Sequence, residues 1–138
     1  MTVKLIAHTL IEKEGKYLLI KRSKIKRDLP NVYPSYWDIP GGSVEEKELP
    51  REAALREAME EVNQKIRINK IIHEDSQFDS ENDTVFTRLV YAGRILEERD
   101  ILLDPEEHSD FVWITSLKDL EKELIVPYLI DIFADKSV

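Results

Sequence analysis

The stretch "GGSVEEKELPREAALREAMEEVNQ", residues Gly41 to Gln64, gathers seven glutamates around what reads as a single helix. Gly41 and Gly42 permit a sharp backbone turn. From Pro50 to about Val62 the apolar spacing is helical. Pro50 suits the first helical position, where its missing N–H costs nothing. Leu49 is a poor N-cap in that register, and Asn63 fits the position just past the end because Asn tolerates the left-handed conformation. At about 100° per residue, Ala54, Leu55, Ala58, Met59 and Val62 form one face suited to docking on a sheet. Glu57, Glu60 and Glu61 fall on a different side, with the small Ala53 among them.

Stability alone would not choose that arrangement. Glu57 and Glu61 are a like-charge pair at i, i+4, which destabilises a helix. All three glutamates also lie toward the negative end of the helix macrodipole. Arg56 can pair with Glu60, and Lys65 is within reach of Glu61, but no local cation is expected to neutralise Glu57. A divalent cation resolves the crowding. Mg²⁺ and Mn²⁺ prefer hard oxygen ligands and bind carboxylates together with water and substrate phosphates. Such an ion turns a repulsive field into one that attracts phosphate.

Outward from this helix, Val3, Leu5, Ala7, Thr9 and Ile11 alternate with more polar neighbours, the signature of a strand. Glu14-Gly15 supplies a turn, and "KYLLIKR" (16–22) returns as a hairpin partner. Residues 23–36 read as a loop, and "WDIP" as a short strand closed by Pro40, which cannot donate to a ladder. Strands are expected at 66–77 and 84–95, joined by "DSEND", with another short one at "FVWI". Ser116 with Asp119 resembles a capping box opening a short helix, and a last helix starts near Pro127. The mixed order predicts an α+β domain spanning residues 1–138.

Composition narrows the function. At 138 residues with 42% apolar content, the chain can bury a core. No apolar run approaches the roughly 18 residues of a membrane span. The opening "MTVKLIAHTLIEK" is broken by Lys4, His8 and Glu12, so it reads as a strand rather than a signal peptide. There are no cysteines, which removes disulfides and thiolate sites, and the expected address is cytoplasmic. A net charge of −8 disfavours nonspecific nucleic-acid binding, while cations could still bridge the protein to a small anionic substrate.

The spacing of Gly42, Glu48 and Arg56-Glu57-Ala58-Met59-Glu60-Glu61 resembles the Nudix box, G-x5-E-x7-R-E-U-x-E-E-x-G-U, with its glycine, arginine and four glutamates in register. Ala58 is smaller than the usual residue, Asn63 replaces a glycine, and Gln64 replaces the last apolar residue. The resemblance covers essentially the whole chain. It implies a mixed β-sheet between helices, an α/β/α sandwich, and hydrolysis of a pyrophosphate bond in a nucleoside diphosphate linked to another moiety, with Mg²⁺ or Mn²⁺ as cofactor. It further implies that Glu57, Glu60 and Glu61 are metal ligands, or for Glu57 the general base, with the carbonyl of Gly41 a further ligand. Glu48 and Arg56 would orient those carboxylates, although Arg56 could equally be an ordinary helix ion pair with Glu60. From outside the box, Glu107 is the expected additional ligand or base, with Glu106 an equal neighbour. Gly41, Gly42 and Arg22 would face the substrate, and Lys21, Lys24, Lys26 and Arg27 extend the basic patch. Trp37 is expected in the core and Phe78 is a candidate base-stacking residue. His8, His73 and His108 lack metal-ligand spacing and read as structural.

The leading expectation is a nucleoside-triphosphate pyrophosphohydrolase, monomeric or homodimeric. It rests partly on the lack of an added N-terminal segment common in ADP-sugar-cleaving members. ADP-ribose, a nucleotide sugar, a dinucleotide or a capped RNA end is the alternative substrate. A non-catalytic nucleotide-binding regulator on the same scaffold is the alternative of another class.

Overall fold

The computed structural model describes residues 1–120 and 123–136. It contains the strands β1 (Thr2–Lys13), β2 (Lys16–Arg22), β3 (Ile25–Lys26), β4 (Leu29–Pro30), β5 (Trp37–Asp38) and β6 (Gly41–Ser43). Helix α1 (Pro50–Val62) follows, then β7 (Lys65–Asp79), β8 (Thr84–Glu97), β9 (His108–Ile114), a 3-10 turn at Leu117–Leu120 and helix α2 (Pro127–Lys136). The principal sheet runs β5-β2-β1-β8-β7, with β6 paired to β1 and β9 to β2. Strands β1 and β8 are parallel and the other pairs antiparallel, so the sheet is mixed, as expected.

Strand alternation sorts the core onto two faces. Leu10 of β1 and Leu19 of β2 pack with Leu129 and Ile132 of α2. Their neighbours Ile11, Leu18 and Ile20 pack with Ala58 and Val62 of α1. Because both faces are covered, "LLI" at 18–20 is wholly buried rather than alternating. Trp37 joins the α2-side core, as expected.

The hairpin closes through Glu14 and Gly15, both at positive φ (51° and 79°), with Lys13 opposite Lys16. Beyond it one edge of β1 is divided between two partners. Glu12 and Lys13 pair with β2, whereas Ile6, Ala7 and His8 pair with Ser43, Gly42 and Gly41 of β6. That division brings the glycine turn and the start of α1 against the middle of the sheet.

Three expectations change. The segment 23–36 is not simply a loop, because Arg27 and Asp28 at positive φ (52° and 64°) turn a small β3–β4 hairpin. Strands β7 and β8 extend beyond the expected ends, and β9 begins at His108 rather than Phe111. The docking face of α1 is also rotated. Ala53, Ala54, Ala58, Glu61 and Val62 are buried, while Leu55 (43%) and Met59 (37%) stay exposed. The alanines let the backbone approach the sheet closely, and the resulting roll points Glu61 inward rather than toward Lys65.

The ends of α1 follow the sequence more closely. Leu49 offers no side-chain acceptor, but Glu52 Oε1 accepts its N–H at 2.8 Å. Asn63 is left-handed (φ 58°) and its N–H reaches Met59 O at 3.1 Å, the bond of an αL-type end, while Gln64 N–H reaches Ala58 O at 3.3 Å. Gln64 is fully buried, and its Nε2 donates to Arg99 O at 2.9 Å. Polar residues at 63 and 64 thus replace the box's glycine and apolar residue by binding the 99–100 backbone.

Candidate active site

Gly41 and Gly42 form the floor of the site because two neighbours leave no room for a side chain. A Cβ on Gly41 would enter the His8 ring and lie 2.5 Å from Ala7 O. A Cβ on Gly42 would lie 2.6 Å from Glu57 Oε1. Gly41 N–H donates to Glu61 Oε1 at 2.7 Å, which ties the turn to the last turn of α1. Gly41→Ala is expected to cost about 1–3 kcal/mol of stability, as overpacking against a fixed backbone does. Urea unfolding of the two proteins reads this directly, and an unchanged midpoint would show that the approach is not constraining.

Arg56 is more than a helix ion pair. Its Nε and Nη2 grip Glu48 at 2.8 and 3.0 Å, and Nη1 reaches Glu57 Oε1 at 3.0 Å and Glu60 Oε2 at 3.1 Å. Its Nη2 also donates to Ser43 O at 3.1 Å. This corrects the expectation that no local cation meets Glu57. A residue immediately preceding another on a helix normally points elsewhere, but Arg56 folds back under the pull of Glu48 from outside the helix. Hydrogen bonds from Arg56 hold Glu48 down at about 2.

The other carboxylates lack such relief. Partial burial raises Glu57, against the lowering pull of Arg56. Burial pushes Glu61 well above the usual carboxylate range, and the nearby charges of Glu57, Glu107 and Asp38 push it further. The Gly41 N–H opposes this without cancelling it.

Ligand atoms of Glu61, Glu107 and His108 lie within 4.8 Å of one another. His108, read as structural from its spacing, is therefore part of the site. Its Nδ1 is buried without a hydrogen-bond partner and lies 3.7 Å from Glu61 Oε2. Burial lowers its pKa to about 4, so the ring is neutral at neutral pH. The sequence signal was its adjacency to Glu107 in "PEEH". The structure also separates the two acidic neighbours in that loop: Glu107 lines the cavity, whereas Glu106 is exposed and uses its carbonyl to accept from Ser23 Oγ at 2.8 Å.

These groups open on a cavity of about 540 Å³, bordered by Gly41, Gly42, Arg56, Glu57, Glu60, Glu61 and Glu107. Its volume lies within the range of about 300–1,000 Å³ usual for small-molecule pockets. Lys26 and Arg27 of the β3–β4 hairpin line another wall. Arg22 also lines it, but each of its nitrogens is engaged: Nη1 with Asp38 Oδ2 at 3.0 Å, Nη2 with Asn31 Oδ1 at 3.2 Å and Nε with Val32 O at 2.7 Å. It pins the 23–36 segment to β5.

The inner end of the cavity contains Asp38, Arg88 and Tyr128, which sequence reasoning did not single out, and His8, which it read as structural. Asp38 is buried and accepts hydrogen bonds from Arg22, Ile39 N and Tyr128 Oη. The Arg88 guanidinium lies 3.8 Å from the Tyr128 ring centre, and His8 packs against the same ring. Strands β1, β5 and β8 and helix α2 supply these four, so no local motif announced them. Phe78, the candidate stacking residue, lies near the far end of β7 opposite Val85 and does not line the cavity. His73 pairs with Asp75 at 2.8 Å, consistent with a structural role.

The donor set suits a hard divalent cation. It offers carboxylate oxygens in excess of local cations, one of them raised by burial and further by neighbouring charge, with an orphaned ring nitrogen beside it. Glu61, Glu107 and His108 present donor atoms close enough to share one ion, and Gly41, Glu57 and Glu60 border the same cavity.

The NUDIX domain model matches residues 3–134 of the chain. A nucleoside triphosphatase NudI of Klebsiella pneumoniae (strain 342) is 29% identical over 122 residues, covering 83% of each chain. The crystal structure of a MutT protein from Methanosarcina mazei Go1 superposes with a TM-score of 0.76 at 26% identity, covering 96% of this chain and 91% of that one. A NUDIX hydrolase from Nitrosomonas europaea shares the fold, with a TM-score of 0.77 at 20% identity over 99% of this chain and 89% of its own. The carboxylate-rich turn and helix, their mixed sheet and these likenesses agree, and the chain belongs to the NUDIX family as a MutT-type Nudix hydrolase, an enzyme of pyrophosphate bonds.

Proposed function

We propose that this enzyme is a divalent-cation-dependent pyrophosphohydrolase acting on nucleoside triphosphates, with residues 1–138 working as one domain. The observation that carries this reading is the convergence of Glu57, Glu60, Glu61 and Glu107 on one cavity that also bears Lys26 and Arg27. Four carboxylates alone would repel a polyphosphate. With cations between them, the same wall attracts it. Likeness to a nucleoside triphosphatase supports a triphosphate as the substrate class.

A bound Mg²⁺ or Mn²⁺ supplies charge neutralisation at the phosphate oxygens and makes water more acidic. The chain's own residues do the rest. Arg56 holds Glu48, Glu57 and Glu60 in one orientation. Gly41 N–H fixes the Glu61 carboxylate against the floor. Glu57 Oε1 is taken by Arg56, and Oε2 carries no hydrogen bond among the described residues, so Oε2 is the atom available to accept a proton from the attacking water. The end of the cavity near His8, Arg88 and Tyr128 would take the nucleoside, with Trp37 behind it in the core.

A panel of nucleoside triphosphates, dinucleotides and nucleotide sugars with Mg²⁺ or Mn²⁺, scored by product identity, tests the reading. Nucleoside monophosphate and pyrophosphate are expected, and excess chelator should abolish their formation. Product formation that survives chelation would remove the cation from the reaction. Turnover confined to nucleotide sugars would replace the substrate class.

A further inference from the structure

Lys26 stands between the two charge systems of the site. Its Nζ is 3.1 Å from Glu107 Oε1, and both residues line the cavity. The contact is held by backbone as well as charge. Ser23 N–H donates to Glu107 O at 2.9 Å, and Asn31 Nδ2 donates to Ser23 O at 3.1 Å. The base of the β3–β4 hairpin and the Glu107 loop are therefore tied together, with Lys26 near the turn that Arg27 and Asp28 make. Arg22 cannot serve as the free cation here without giving up its bonds to Asp38, Asn31 and Val32.

We propose that Lys26 exchanges partners during the catalytic cycle, neutralising Glu107 in the metal-free protein and moving to the substrate's phosphates once a cation has taken Glu107. The idea rests on the metal role proposed for Glu107. Lysine suits such an exchange because its ammonium is a point charge on a flexible four-carbon stem, with three donors and no fixed fork. The pair is partly solvated, at 40% and 26% exposure, so breaking it costs little. No large rearrangement is needed, because phosphate oxygens arriving at the carboxylates come within the same reach. Lys26 is thus a substrate-binding residue that also competes with the cation for Glu107.

The two roles predict opposite signs in one variant. Lys26→Met is expected to tighten Mn²⁺ binding by about two- to fivefold, the scale of a solvated ion pair. The same change should raise KM for the triphosphate by about tenfold, with a smaller effect on kcat, because a charge-assisted bond to phosphate is lost. Calorimetric titration with Mn²⁺ alone reads the first and steady-state kinetics the second. Lys26→Arg should restore KM, and Lys24→Met, on the same loop but away from the cavity, should move neither quantity. Unchanged Mn²⁺ affinity in Lys26→Met would overturn the exchange. So would tightened Mn²⁺ binding with KM no higher than in Lys24→Met, which would leave Lys26 a counter-ion only. Failure of the parent protein to take up Mn²⁺ is a separate result: it would overturn the proposed cation dependence itself.

Discussion

Glu61→Gln is expected to raise the unfolding temperature of the metal-free protein while lowering kcat/KM by about a hundredfold or more. The two effects share one cause. Glu61 is buried on the docking face of α1, where burial and the charges of Glu57, Glu107 and Asp38 oppose its ionisation. Glutamine keeps the acceptor that Gly41 N–H uses and removes the charge. Because the folded-state pKa lies above the ordinary 4.5, the folded protein holds this proton more tightly than the unfolded chain. The stability from that proton is complete below the unfolded value and is lost as pH rises through the folded one. The variant's advantage should therefore be largest at alkaline pH and disappear toward about pH 4.5. Mg²⁺ or Mn²⁺ should reverse the ranking, because a ligand that binds only the native state raises its stability and the parent binds it better. Scanning calorimetry at several pH values, with and without cation, measures the stability effects, and steady-state kinetics measures the loss of kcat/KM. A variant less stable than the parent at pH 8 without metal would show that Glu61 does not carry an unfavourable charge.

Glu57→Gln should lower turnover on the order of a hundredfold or more with the fold intact, and Glu60→Gln similarly if it too is a ligand. Glutamine at 57 preserves the shape above Gly42 and an acceptor for Arg56, so unfolding should change little. What distinguishes Glu57 is the pH profile. As the base, it must be deprotonated, so activity should fall on the acid side as this carboxylate takes up a proton. That limb should be missing in the residual activity of Glu57→Gln and present in that of Glu60→Gln. Parent-like turnover in either variant would remove that residue from the machinery, and an unaltered acid limb in Glu57→Gln would pass the base to another group, with Glu107 the neighbour to examine next.

Much of this was legible in local pattern. Alternation marked β1, the Glu14-Gly15 turn marked its hairpin, and the run from Pro50 to Asn63 marked α1 nearly to its ends. The box glutamates were legible because their crowding on one short helix conflicts with helix stability. What local pattern missed depends on which surface meets which. The roll of α1 is set by how closely Ala53, Ala54 and Ala58 approach β1, and small residues give only a weak hydrophobic stripe. The expected Arg56–Glu60 pair is present, but the reach of Arg56 to Glu57 was missed because Glu48, which draws the guanidinium over, lies eight positions earlier, across a turn, and only the folded turn places it there. His108 carried only the signal of its adjacency to Glu107, because the third member of the group, Glu61, comes from α1.

The amino-acid sequence alone determined most of the elements, the mixed α+β class and the presence of a carboxylate set that suits divalent cations, since each follows from periodicity or charge over a few neighbouring residues. Tertiary structure decided which carboxylates are buried, which basic residues are already committed and what lies at the inner end of the cavity. Those properties arise where β1 divides its edge between β2 and β6, bringing residues far apart along the chain within hydrogen-bonding range. Electrostatic and hydrogen-bond energies depend on distance in space and on exclusion of water, and neither quantity is carried by separation along the chain.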